Sequence, residues 1–371
     1  MKFEQLEHKT LMDNLEMEQN EHIIALSGGV DSSVAAALMV GAGINVRGVM
    51  LLIWGSERYK ESQVPSQQSV DKAARVAQKI NIPFEVLDFR KEFKKFVVDK
   101  FINSYSLGLT PNPCMICNKY VRWGKLLDHI LSKGGRYIVT GHYARIKQES
   151  NVEYSLLRAK DKSKDQTYFL SLLNQFQLKH SKFPLGEYSK DEEVWSLAQH
   201  YGLEYGEKTE SQDLCFLGGE DYRLFIEIYA KGLDTPGLIM SRQGDVLGEH
   251  QGIAGYTIGQ RKGIKLSHPE PLYVLEKQVD KNILVVGSAD ELGKRNLTVK
   301  NVNWISGIQP DTPFKSYVKI RYRSKLVQAK ITPTNENQTI IEFDELMRDV
   351  TPGQFAVFYD GDKVLGGGEI V

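Results

Sequence analysis

HIIALSGGVDSSVAAAL, residues 22–38, joins an apolar run to a helical one through a Gly-Gly turn. HIIAL (22–26) has the length and composition of a buried strand, and SVAAALMV after the turn reads as a helix. Gly28 and Gly29 let backbone approach a phosphate closely. The helix N-terminus that follows offers spare N–H groups and a favourable dipole. Ser27, Ser32 and Ser33 add hydroxyl donors. Asp31 suits such a site only when a magnesium ion accompanies the phosphates. The spacing G-x-x-x-x-G-K-[ST] is absent, which excludes a conventional kinase or GTPase loop. A turn that merely caps a helix is the plainer reading of the same residues.

Outward from this stretch, strand-like and helical runs alternate. INVRGVMLLIW (44–54), FEVLDF (84–89) and RYIVTGHYA (136–144) read as strands, and SVDKAARVAQKI (69–80) as an amphipathic helix. This alternation predicts parallel βαβ units, hence an α/β fold built on a doubly wound sheet. A second regime begins near residue 207, where TPG, RQGD, GEHQG and GQRKG turns crowd together and predict a small, mixed, loop-rich domain. From residue 276 only short strands remain: NILVVG, LTVKNVNWI, SYVKIRYR, VQAKITP, TIIEF, QFAVFYDG and KVLGGGEIV. They predict an antiparallel barrel or sandwich. The expected domains are therefore 1–206, 207–275 and 276–371.

Composition sets the outer limits. A chain that is 41% hydrophobic and 25% charged is of the ordinary globular type. No apolar run reaches the roughly 18 residues of a membrane helix, so no membrane partner is expected. MKFEQLEHKTLMDNLEMEQNEH is acid-rich without an apolar centre, which argues against a secretory or transit peptide and for a cytoplasmic location. Three cysteines cannot form a disulfide framework; they indicate a reducing compartment and thiols kept for chemistry. Basic and acidic residues balance at 47 each, which argues against nonspecific coating of nucleic acid and does not exclude local basic patches.

SGGVDSS resembles the pyrophosphate-binding loop of the N-type ATP pyrophosphatases. NPCMICN (112–118), TGHYAR (140–145), KDQTYFL (164–170), SQDLCF (211–216), TPG (235–237), GEHQGIAGYTIGQRKG (248–263), RYRS (321–324) and TPGQFAVFYDGDKVLGGG (351–368) narrow the match. In that order they resemble the tRNA-specific 2-thiouridylases, which replace the 2-oxygen of a wobble uridine with sulfur. The resemblance implies a PP-loop ATP pyrophosphatase domain, a central tRNA-binding domain and a C-terminal β-barrel. It implies ATP and magnesium as cofactors, tRNA with a wobble uridine as substrate, and a persulfide-donating sulfur carrier or cysteine desulfurase system as partner. ATP would adenylate the uridine 2-oxygen with release of pyrophosphate, and sulfur transfer would then release AMP. By the same resemblance the nucleotide is held by Ala25, Leu26, Ser27, Gly28, Gly29, Val30, Asp31 and Ser32, with Leu51 and Gly141. The family usually has methionine where this chain has Leu51.

Cysteine chemistry divides the readings. Cys215 in SQDLCF matches the family's persulfide carrier, and Cys117 in NPCMICN matches the nucleophile that releases the product as a disulfide forms. A buried, inert thiol is the plain alternative for each. The family carries aspartate where this chain has Cys114, and a thiol does not reproduce a carboxylate ionised at neutral pH. Cys114 is then a spectator beside a persulfide route, or half of a C-x-x-C redox pair with Cys117. In the third reading, Cys114, Cys117 and Cys215 ligate an iron–sulfur cluster with one open iron. Zinc is the weakest fit, because no second C-x-x-C is present and His142 has another role in its motif.

For RNA, the resemblance implies contacts from Asn112, Pro113 and Cys114 beside the target base, and from His142, Lys164, Asp165, Gln166, Arg321, Tyr322 and Gln354. KIRYRSK (319–325) places Lys319, Arg321, Arg323 and Lys325 at period two, which predicts one face of a strand, either solvated or contacting phosphates. GQRKGIK (259–265) supplies a further basic loop. An adenylating amide ligase would share SGGVDSS yet need neither Cys117 nor Cys215. A tRNA-binding or nucleotide-sensing module would need no thiols at all.

Overall fold

The computed structural model describes residues 21–55, 65–203, 214–217, 221–229, 233, 235–334 and 337–371. The acid-rich stretch before Glu21 and the Ser-Gln-Asp of SQDLCF lie outside the described residues. Strand β1 (His22–Ala25) is central to a parallel sheet, because its apolar side chains are covered on both faces. It pairs with β2 (Val46–Leu52) on one side, and β3 (Phe84–Asp88) lies beyond β2. On its other side it pairs with β4 (Tyr137–Val139), followed by Ser181–Lys182. All pairings are parallel and the order is β3, β2, β1, β4, Ser181–Lys182. The chain leaves β1 toward β2 and later returns to the opposite side at β4. The carboxyl ends of β1 and β4 therefore flank a switch point, where such sheets open a ligand crevice.

Helix α1 (Val30–Gly41) buries nearly every residue between Val30 and Met39, with Asp31 left at the mouth. Alanines at 35, 36 and 37 let neighbouring elements approach it closely. Helix α2 (Gln67–Lys79) starts at Ser66, whose hydroxyl accepts the Ser69 N–H. Its first turn lies directly over the Gly-Gly loop, since a Cβ at Gly28 would stand 2.9 Å from the Ser69 carbonyl oxygen.

RYIVTGHYA is not one strand. β4 stops at Val139, and the chain passes through Thr140–Tyr143 into β5 (Ala144–Gln148), which forms a hairpin with β6 (Tyr154–Arg158) in a different sheet. That sheet contains six C-terminal strands: Lys294–Trp304, Gln338–Met347, Val327–Pro333, Phe314–Lys319, Phe355–Asp360 and Lys363–Ile370. The first also pairs with the last, so the six close into an antiparallel barrel rather than a sandwich. Asp362 attaches the hairpin: its carbonyl accepts the Arg158 N–H at 2.8 Å, and its carboxylate takes Arg145 at 2.7 Å.

Two further expectations change. NILVVG, expected in the barrel, forms Ile283–Gly287, which pairs parallel with Gly237–Ser241 and antiparallel with Tyr273–Gln278. It completes a four-stranded central sheet with Val246–His250, so this sheet extends past residue 276. KIRYRSK is not a strand face either. The strand ends at Lys319, and the Ser324 hydroxyl accepts the N–H groups of Ile320 and Arg321 while donating to the Arg321 carbonyl. That local bonding turns the chain and competes with ladder pairing. Among the described residues, no helix is long and apolar enough to cross a membrane.

Candidate active site

The loop after β1 is knitted by its own hydroxyls. Ser32 Oγ donates to the Gly29 carbonyl (3.1 Å) and accepts the Ser27 N–H (3.1 Å), and Ser33 Oγ donates to the Gly29 carbonyl (2.9 Å). Gly28 adopts φ +77°, a conformation that favours glycine. Gly29 caps α1 without a side chain, leaving room at the helix N-terminus. Gly141, after β4, packs against this loop; a Cβ there would fall 2.7 Å from the Ser32 nitrogen. Leu51 is half-buried near the end of β2. The structure thus gathers Ala25 through Ser32, Leu51 and Gly141 around the carboxyl ends of β1, β2 and β4.

Asp31 has two partners the sequence did not reveal. The Tyr143 hydroxyl donates to Oδ1 at 2.7 Å, and Lys190 Nζ lies 3.0 Å from Oδ2. Burial and the neighbouring Asp31 charge push the Tyr143 phenol up, so it remains a donor. Tyr143 was visible inside TGHYAR, but Lys190 is 159 positions from Asp31 and carried no motif signal.

The cysteines lie on a neighbouring helix. Asn112 caps Pro113–Ile116, its Oδ1 accepting the Met115 N–H at 3.3 Å, with Pro113 preset for the first turn. The helix continues through wide π-helical turns, Cys117–Leu126, into Leu127–Ser132. Met115 and Ile116 anchor it in the core, with Cys114 half-buried and Cys117 buried. Cys215 arrives on a short turn held by Phe216, whose ring packs on Phe93, Phe101 and Phe225 at 5.7, 5.3 and 5.2 Å. All three thiols are free. They are near enough to feel one another: burial, with Cys215 and Cys117, pushes Cys114 up to about 12 against the pull of Arg122. Burial likewise pushes Cys117 up to about 12, against the pull of Arg122. Cys215 is exposed as a residue, yet burial raises its thiol, against the pull of Arg122.

Arg122 lowers all three thiols and was missed in the sequence. It donates to Asn118 Oδ1 at 3.3 Å. His142 links this group to the nucleotide loop, since it follows Gly141 and its ring lies 5.7 Å from Trp123. Its Nδ1 is 2.7 Å from the Thr140 hydroxyl, and burial, with Arg122, pulls the imidazole down to about 3. His142 is therefore neutral. Among the described residues, no group of three or more His, Cys, Asp or Glu is placed to hold a metal ion, so the cysteines do not form a ready-made cluster site.

Gln354 clamps the segment before the cysteines: its Nε2 donates to the carbonyls of Thr110 (2.9 Å) and Pro111 (3.3 Å). Arg321 donates to the Ile258 carbonyl at 3.1 Å and to the Thr351 hydroxyl, while its buried Nε has no hydrogen-bond partner. Tyr322 packs on Phe169 at 4.5 Å. Tyr322 also packs against the core cluster that holds Met115, Ile116 and Cys117. Gln166 lies nearer the nucleotide loop, its Oε1 accepting the Tyr143 N–H at 3.0 Å. Lys164 is half-buried on the same loop. Asp165 departs from the expected contact. It is only 3% exposed, and its carboxylate is taken by Arg158, Thr167 and the Ala159 N–H. Its side chain shapes the loop instead of facing a ligand.

Three family descriptions match in series: a tRNA methyl transferase HUP domain at residues 20–219, a tRNA methyl transferase PRC-barrel domain at 225–288, and an aminomethyltransferase beta-barrel domain at 294–370. The tRNA-specific 2-thiouridylase MnmA of Geotalea uraniireducens is 44% identical over 354 residues, covering 94% of each chain. That of Magnetococcus marinus is 42% identical over 351 residues, covering 94% of this chain and 98% of the relative. That of Clostridium perfringens is 41% identical over 357 residues, covering 95% and 99%. The chain belongs to the tRNA-specific 2-thiouridylase family.

Proposed function

We propose that this protein is an ATP-dependent tRNA-uridine 2-sulfurtransferase acting on the wobble base. The observation that carries this reading is convergence. Cys117 and Cys215, far apart in sequence, are near enough that Cys215 raises the Cys117 thiol and Arg122 lowers both; Arg122 also acts on His142, one residue from the Gly141 that touches the nucleotide loop. Adenylation and sulfur transfer can then occur in adjoining pockets, each held by rigid elements.

In the first step the uridine 2-oxygen attacks the α-phosphate, and the bond to the β-phosphate breaks with its electrons leaving on pyrophosphate. Loop amides and the Ser27 and Ser32 hydroxyls are suited to stabilising that charge. Each Asp31 oxygen has one partner, which leaves lone pairs for the water shell of a phosphate-bound magnesium, so the residues present fit that ion. Magnesium, when bound, offsets phosphate charge. In the second step the terminal sulfur of a Cys215 persulfide attacks C2 and displaces AMP. The Cys117 sulfur, its thiolate favoured by Arg122, then attacks the Cys215 sulfur as its proton passes to the base, forming a disulfide and leaving sulfur on the base. A thiol reductant resets the pair. Cys114 stays protonated up to about pH 12 and cannot replace a carboxylate as a base; it serves as a hydrogen-bond donor. The donor of the persulfide is a sulfur carrier or cysteine desulfurase system.

The RNA would lie across three domains, divided near residue 206 and, since the central sheet includes Ile283–Gly287, after Gly287 rather than near 275, with Asn112, Pro113, His142, Arg321, Tyr322 and Gln354 around the base. The free Arg321 Nε supports that placement. The test is anaerobic, iron-free protein with unmodified tRNA, ATP, magnesium and glutathione persulfide, read by nucleoside mass spectrometry. Wild type should make 2-thiouridine, and C117A and C215A should lose it while still releasing pyrophosphate. Product from C215A overturns the persulfide route. Product only after iron and sulfide are added assigns the thiols to a cluster, and pyrophosphate release by wild type with no 2-thiouridine under either condition reassigns the chain to an adenylating ligase.

A further inference from the structure

The two helices that frame the thiols are basic in a chain that is not. Residues 90–132 hold eight Lys and Arg against three Asp and Glu, whereas the whole chain balances at 47 each. Where the helical stretch 90–106 meets the cysteine helix, Phe96 stacks on Tyr120, with ring centres 5.6 Å apart and planes 9° from parallel. A lysine stands over each ring: Lys95 Nζ is 5.5 Å from the Phe96 centre, and Lys119 Nζ is 5.5 Å from that of Tyr120. Such contacts hold an ammonium in place without neutralising it. Tyr120 is 40% exposed, so its ring also offers surface to solvent. Burial, with the charge of Lys100, pulls the Lys119 ammonium down. Among the described residues no carboxylate pairs with Lys95, Lys100 or Lys119; Asp99 is taken by Lys94 at 2.6 Å, and Asp128 by Lys125 at 3.7 Å. Like charges held together in this way are relieved by an anion from outside. Lys100 also lines a small crevice with Asn112 and Pro113, the residues implied to flank the target base.

We infer that this helix pair is a further RNA-contact surface, which takes a single-stranded stretch of the tRNA next to the target base, with phosphates on Lys95, Lys100 and Lys119 and a base against Tyr120. This rests on the reading of the substrate as tRNA. Cations along a surface with aromatic faces between them hold single strands without regard to sequence. A protein partner fits less well. Six of the eight cations are lysines, a residue type depleted in protein interfaces but well suited to phosphates. None of these residues is among the RNA contacts implied by the motifs. The surface concentrates positive charge beside the thiols, where a chain of zero net charge needs it.

Fluorescence anisotropy of labelled, unmodified tRNA with the full chain and no ATP tests this, at salt between about 50 and 200 mM. Three phosphate contacts on a single strand contribute about 2 to the slope of log affinity against log salt. K95Q/K100Q/K119Q should flatten the slope by that amount and weaken binding by about tenfold or more at low salt. Y120A should weaken binding by about fivefold or more at an unchanged slope, the usual worth of one stacked base, while Y120F binds as wild type. Unchanged affinity and slope in the lysine variant overturn the inference and leave the patch to an acidic protein. Weaker binding at an unchanged slope in that variant also overturns it, because a loosened helix would do the same, and so does a Y120A that binds as wild type. A wild-type protein that binds no tRNA overturns the reading of the substrate instead.

Discussion

A buried imidazole that must stay neutral makes stability sensitive to acid. His142 ionises near 3 in the folded chain, against an ordinary value of about 6.5 when unfolded. Between those values the unfolded state binds the extra proton and the native state does not. Stability is therefore full above about pH 6.5 and falls as pH drops toward 3, by up to about 1.4 kcal/mol per pH unit from this group. Burial holds the nearby Cys114 and Cys117 thiols neutral throughout that range, so they do not reverse the sign. Urea midpoints at pH 7, 5.5 and 4.5 should fall more steeply for wild type than for H142Q; parallel slopes would show that His142 does not titrate the fold. The same scale shows what a motif conceals. KDQ places Lys164, Asp165 and Gln166 side by side, yet burial turns Asp165 inward onto Arg158 and Thr167. Adjacent residues in a loop face different ways, and one sequence does not say which is inside.

At the scale of elements, the cysteine helix depends on its cap. Asn112 holds the Met115 N–H, Pro113 presets the first turn, and Cys114 lies in that turn. N112A should cost about 1 kcal/mol in urea unfolding, the usual worth of such a cap, and should lower thiolation further by loosening the turn that carries Cys114. N112D keeps an acceptor in place and should restore stability; equal stability of N112A and wild type would show the cap to be idle. The parallel sheet and α2 were legible here because apolar runs and amphipathic spacing are local properties. The turn at residues 320–324 was not, because period two in KIRYRSK matches a strand until Ser324 captures the backbone. Likewise NILVVG shows its strand character but not its partner, since pairing with Gly237–Ser241 is a long-range choice.

Across the whole molecule, charge balance and segment placement set how RNA is met. With 47 basic and 47 acidic residues there is no general attraction for nucleic acid, so affinity must come from several local contacts on a folded tRNA. An isolated anticodon hairpin should have kcat/KM at least about tenfold below full-length tRNA, or 1.4 kcal/mol, measured as 2-thiouridine formed per minute. Equal values would confine recognition to the anticodon loop. The barrel also reaches into the catalytic region, because Gln354 and the Pro352 carbonyl bind the segment at 110–111 that leads to Cys114 and Cys117. The sequence by itself determined the α/β class, the strand–glycine loop–helix unit, the family, and the residue types able to carry phosphate and sulfur, because these reside in local pattern and motif order. Tertiary structure alone decided that Cys114, Cys117 and Cys215 share one field with Arg122, that Lys190 neutralises Asp31, and that Asp165 is buried. Those facts depend on contacts between distant segments, and they are set when the sheets and helices pack together, not by any short run of residues.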